Sequence, residues 1–292
     1  MQLLQTLTST KRIALTAAAA VTATALTASA GGPFSNYYVG VDTSENVAFG
    51  TYTGLENPNF NRLTFLWNHA FLDNVESSHY HSIGRYTYEG PIDDPTVVPT
   101  NFNNRLPEFY VDGALILQPG TGAYAGKLTS NVDNGSDVWD SYAPNEIRKT
   151  DSLPLTPGFG PVGEPGTTTE GNAAFYMFNA TSQSYINPVG GLDIELELVG
   201  LTDGLSIGDA AGNVLMDSVG DTAALFDGAE TFNPVFFTDG TAADGVYSAS
   251  FQMNDLSGTY LSSGTFHFDF TIPEPASLSL LAVAGLGLMR RR

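Results

Sequence analysis

Apolar and polar residues alternate with a period of two along much of this chain, in short runs separated by Gly, Asn, Asp and Pro. Successive side chains of an extended strand project to opposite faces, so this period marks half-buried β-strands, and helical periodicity is almost absent. The clearest run is Asp193-Ile194-Glu195-Leu196-Glu197-Leu198, aliphatic on one face and carboxylate on the other. Thr265-Phe266-His267-Phe268-Asp269-Phe270 repeats the pattern with aromatic residues inward, and 247–253 does so again. Further strands are predicted over 36–41, 62–71, 82–88, 109–117, 173–178 and 235–237. Strands with one wet face belong to antiparallel sheets, so the expected fold is an all-β antiparallel β-sandwich. The segment 153–171 carries Pro154, Pro157, Pro161 and Pro165 among glycines and reads as a linker. It predicts two sandwich-like modules, 31–152 and 172–271, with a single larger sandwich as the alternative. No fixed-period repeat is visible, which argues against solenoids and propellers.

The two ends break the pattern. Lys11 and Arg12 precede an uncharged run, 13–30, of Ala, Thr, Leu and Val that closes on Ala28-Ser29-Ala30. A basic start, an apolar run and small residues at the cleavage positions predict a signal peptide over 1–30, helical in its apolar run and cut after Ala30. At the other end, 272–292, Pro273-Glu274-Pro275 precedes the uncharged run 276–289 and Arg290-Arg291-Arg292. As a helix that run spans about 21 Å against a hydrocarbon core of about 30 Å, enough for transient membrane insertion and short for a lasting span. The three arginines hold the tail's end on the cytoplasmic side. These features resemble the PEP-CTERM proteins. The resemblance implies export, action of signal peptidase and then exosortase at the Pro-Glu-Pro motif, and a place at the surface or in the matrix of a Gram-negative envelope.

Between the ends, residues 31–274 hold six basic and all thirty-one acidic side chains, a formal charge of −25. Such a charge excludes nucleic acid and anionic lipid surfaces as partners and favours cations. The chain contains no cysteine, hence no disulfide framework, no cysteine zinc site and no thiol nucleophile.

Three of the four histidines, His69, His79 and His81, fall within thirteen residues. His79-Tyr80-His81 on a strand sends both imidazoles to one face, where they can reach one metal ion. If 62–71 and 78–88 are neighbouring strands, His69 joins them, with Asp73 or Glu76 of the connection as a further ligand or an orienting partner. Against this, His-x-His also arises by chance, and His69 shares a face with Leu63, Phe65 and Trp67 and reads equally as a core histidine. His267 points away from the Phe266, Phe268, Phe270 stripe and is expected exposed. The acidic segments 203–209 and 239–245 are calcium candidates but match the ordinary Asp-Gly turn signal better.

Longer stretches carry a second resemblance. Segments 50–66, His69, 79–88, 103–108 with Asn103-Asn104-Arg105-Leu106-Pro107-Glu108, 122–128 and 194–209 are similar to a PEP-CTERM family whose genes are repressed by a zinc-uptake regulator. The resemblance implies an exported protein made under zinc limitation, with the histidines as zinc ligands. The chain departs from it at Phe232-Asn233-Pro234, where such modules often place a histidine before the proline.

No His-Glu-x-x-His, Gly-x-Ser-x-Gly, Walker loop or dinucleotide fingerprint is present, and nothing selects a carboxylate pair for glycoside hydrolysis. The expected role is therefore non-catalytic, with zinc as the cofactor and envelope polysaccharide as a partner. A secreted carbohydrate-active or carbohydrate-binding sandwich is the alternative.

Overall fold

A computed structural model of the chain describes residues 37–69, 71, 73–106, 115–130, 146–150, 173, 175–177, 185, 189–226 and 231–273. The expected signal helix, the 153–171 linker and the tail beyond Pro273 lie outside them. Almost all regular structure among the described residues is β-strand, so the protein is all-β.

The strands form three larger sheets and one pair. The first sheet holds β1 (Tyr37–Asp42), β2 (Arg62–His69), β3 (His79–Ser82), β10 (Ile147–Lys149) and β15 (Thr231–Phe232), in the order β15-β10-β1-β2-β3. In the second, β14 (Thr222–Leu225), β11 (Ile194–Leu201), β17 (Gly245–Asp255), β18 (Phe266–Ile272) and β6 (Arg105–Leu106) lie side by side, and β7 (Leu115–Ile116) also pairs with β18. The third runs β13 (Val214–Met216), β12 (Ser206–Gly208), β16 (Val235–Asp239), β9 (Lys127–Thr129) and β8 (Gln118–Pro119), while β4 (Thr87–Glu89) pairs with β5 (Thr96–Val98). Most pairings are antiparallel, as expected. The exceptions are parallel: β1 with β10, and β18 with β6 and β7.

These pairings replace the expected division into two modules. Each large sheet joins strands from both sides of 153–171: β10 with β15, β18 with β6 and β7, and β16 with β9. The main core is likewise shared, with Tyr37, Phe65 and Leu106 packed in one cluster with Ile194, Phe236 and Phe268. A linker-like composition does not prevent the chain from returning to the same sheet, because strand pairing joins segments distant in sequence.

Alternation predicts burial where one face meets solvent. In β11, Ile194, Leu196 and Leu198 are buried, and Glu195 and Glu197 are partly exposed on the other side. In β18 the Phe266, Phe268 and Phe270 rings are all but fully buried. Around Phe268 lie Phe236 at 5.0 Å, Tyr37 at 5.3 Å and Phe65 at 5.9 Å between ring centroids. One row of side chains on β18 thus contacts both the first sheet and the third, in the offset and edge-on arrangements that aromatic quadrupoles favour.

The first sheet departs from the half-wet pattern. Every residue of β1 is buried, and in β2 Thr64, Leu66 and Asn68 are buried as fully as Leu63 and Phe65. A second cluster of Tyr38, Leu66, Tyr80, Ala173, Met177 and Tyr185 covers the opposite face. It corrects the strand expected at 173–178, because Ala173 and Phe175–Met177 are helical. Apolar residues at 173, 175 and 177 fit a period of two, but 173 and 177 also stand one helical turn apart, and those two are the buried ones. The strand expected at 82–88 is also interrupted. β3 ends at Ser82, and a Cβ on Gly84 would sit 3.2 Å from both the Phe65 side chain and the Phe266 ring, tighter than ordinary van der Waals contact, so the backbone runs close against the core there.

Truncating Leu196 to Ala should cost about 2–5 kcal/mol, and Phe268 to Ala about 3–5 kcal/mol. Chemical denaturation with an unchanged m-value measures both. A loss below about 0.5 kcal/mol at either position would place that side chain outside the core.

Candidate metal centre

The antiparallel register of β2 and β3 sets His69 directly across from His79 and Trp67 across from His81. Odd-numbered residues of both strands therefore share one face, the face that carries Phe65 into the main core. The histidines stand where that face reaches the end of the core, against Trp67 and Phe71. His69 packs edge-on to Trp67 at 4.3 Å and stacks on His81 at 3.9 Å between centroids. His79 lies 4.8 Å from His81 and 6.2 Å from Phe71 by the same measure.

The turn between the strands holds this geometry. A single 3₁₀ turn, Val75–Ser77, brings the Ser77 carbonyl to 2.6 Å from His79 Nδ1. A carbonyl only accepts, so His79 Nδ1 carries the proton and Nε2 presents a lone pair. His79 Nε2 lies 2.8 Å from His81 Nε2, so in the metal-free protein His81 donates across that gap. The Phe71 amide donates to Ser78 Oγ and Asn74 Nδ2 to Ser77 Oγ, which ties the turn to itself.

One ligand atom from each histidine lies within 4.8 Å of the others. At zinc–nitrogen distances of about 2.0–2.1 Å, tetrahedral ligand atoms stand about 3.4 Å apart. To hold zinc, the 2.8 Å pair would have to open and the widest pair close. The donors also suit the ion: three imidazole nitrogens are borderline ligands for zinc. Burial, and then the adjacent His81 and His79 rings, push the His69 pKa down to about 3, so this imidazole is neutral at physiological pH. Asp73 and Glu76 are exposed and stand outside the group of three.

The other site expectations resolve differently. His267 is partly buried on the far side of β18, its Nδ1 2.6 Å from Ser250 Oγ. Burial lowers its pKa, with Asp269 acting upward and Arg105 downward. It takes no part in the three-histidine group. The carboxylate of Asp209 accepts from the amides of Ala211 and Asn213 and from Asn213 Nδ2. Amide protons aimed at its oxygens make it a turn anchor, in agreement with the turn reading. Asp239 pairs with Lys127 at the start of the connection to β17. Pro273 follows β18 directly, and Ala28, Ala30, Glu274, Pro275 and Arg290 to Arg292 lie outside the described residues. No helix among the described residues is long and apolar enough to cross a membrane.

The Ser77 carbonyl is the functional group that sequence reading missed. Its only signal is its place two residues before His79, and its role depends on the 3₁₀ turn. Comparison with family models, with curated proteins and with solved structures finds no match.

The low His69 pKa has a consequence for stability. An unfolded imidazole protonates near pH 6.5, whereas native His69 does so only near 3. Between these values the unfolded state binds more protons, so this contribution is complete above about pH 6.5 and is lost as pH falls toward 3. Without metal, His69→Asn should flatten the decline in stability between pH 7 and 4 relative to the parent. Denaturation at a series of pH values measures it, and parallel curves would show that His69 titrates normally.

Proposed function

We propose that the chain is an exported, exosortase-sorted surface or matrix protein, non-catalytic, whose all-β domain is an antiparallel sandwich that binds zinc through His69, His79 and His81. The observation that carries the zinc reading is the convergence of three imidazoles on one face of the β2–β3 pair, their ligand atoms within 4.8 Å. The fixed His79 tautomer and the neutral state of His69 support it, since zinc takes unprotonated imidazole. The resemblance to the zinc-regulated PEP-CTERM family points the same way. For sorting, the support lies in the two ends of the chain and in Pro273 following the last strand, so that cleavage there leaves β18 intact. The same reading includes transient membrane insertion through 276–289 and envelope polysaccharide as a neighbour.

Zinc binding raises stability by mass action, by about 2.7 kcal/mol at a free concentration one hundred times Kd. Protein carrying no polyhistidine tag should bind about one zinc per chain, and a chelator should lower its melting temperature. Acid should do the same as protons displace the metal. Replacing His79 and His81 by Ala should abolish the chelator effect and leave the sheets folded. If a chelator moves neither protein, the zinc reading falls.

Processing has its own measurement. Intact mass of protein recovered from the native envelope should correspond to a chain lacking both 1–30 and the tail after the Pro-Glu-Pro motif. An unprocessed mass would overturn the sorting reading.

A further inference from the structure

Among the described residues, the three donors approach an ion from one side. His79 and His81 rise from alternate positions of β3, and His69 rises from the facing position of β2, all on the same face of a two-stranded ribbon. Three nitrogens so placed form one triangular face of a tetrahedron, and its fourth corner points away from the ribbon. β3 is the edge strand of the first sheet, and both of its histidines are partly exposed. The side walls are Trp67 and Phe71, whose rings supply no ligand atom. Structural zinc sites are closed by four protein ligands, whereas sites that exchange ligands keep three and leave one position open.

We infer that a metal held by His69, His79 and His81 keeps one coordination position facing solvent, open to a small monodentate anion. The inference rests on the three-histidine reading and extends it, because it makes the centre one where ligands and metal exchange rather than a closed structural clip. The aromatic walls on two sides limit the incoming ligand to a small one.

Cobalt(II) reports this directly, since it replaces zinc and its visible d–d bands respond to the ligand set. The full chain, without a polyhistidine tag, is loaded with Co²⁺ and titrated with azide. Bands should appear on loading and shift saturably with azide, and His79→Ala/His81→Ala should lose the bands while far-ultraviolet circular dichroism confirms its β-structure. Bands that appear but do not move with azide would overturn the open position and leave the three-histidine site standing. If no bands appear in the parent, the three-histidine reading fails and the inference with it.

Discussion

The structure depends on removing the Phe266, Phe268 and Phe270 face of β18 from water. With no disulfide available, apolar burial must supply the cohesion, at about 25 cal/mol for each Å² removed from solvent. Phe268 meets Tyr37 and Phe65 of the first sheet and Phe236 of the third, so one strand fixes both sheets against the second. β6 and β7 lie beside β18 in parallel and bring segments from before 153–171 into the same sheet. The polar side of β18 is organised as well. Arg105 and Ser248 both donate to the buried Asp269, which neutralises a carboxylate that would be costly alone.

The histidine centre inherits its position from that packing. Phe65 stacks on Phe266 at 4.3 Å, which fixes the face of β2 that turns inward. Trp67 and His69 follow on the same face by the period of two, and the β3 register brings His79 and His81 alongside. A shift of one residue in that register would send the β3 histidines to the face occupied by Tyr80 and Tyr38. Tyr80 is buried there against Tyr38 at 5.6 Å, so the second cluster guards the register on which the centre depends.

Electrostatics adds a general preference for cations. All six basic residues of 31–274 are engaged: Arg85, Arg105, Lys127 and Arg148 pair with carboxylates, Arg62 lies over Tyr86, and Lys149 lies over Phe226. The remaining carboxylates set a negative field that raises the local concentration of metal cations and repels polyanions. Asp209 and Asp255 turn their oxygens onto backbone amides at tight turns, so these carboxylates shape loops.

By itself the sequence determined that the protein is all-β and which faces of β11 and β18 are buried, because a period-two pattern with one wet face is a local property of an extended chain. It also marked the three histidines, through the spacing of His79 and His81 and the place of His69 on an aromatic face. Only the tertiary structure decided that the two sides of 153–171 share sheets and a core, since pairing between distant strands leaves no local signature. The helical turn at Phe175–Met177 was ambiguous for the same reason: residues 173 and 177 satisfy both periods, and the cluster around Tyr38 and Leu66 selects one. The β2–β3 register, which brings three separate imidazoles into one cluster, was likewise settled by packing, because a strand's pairing partner is chosen by which side chains must leave water together.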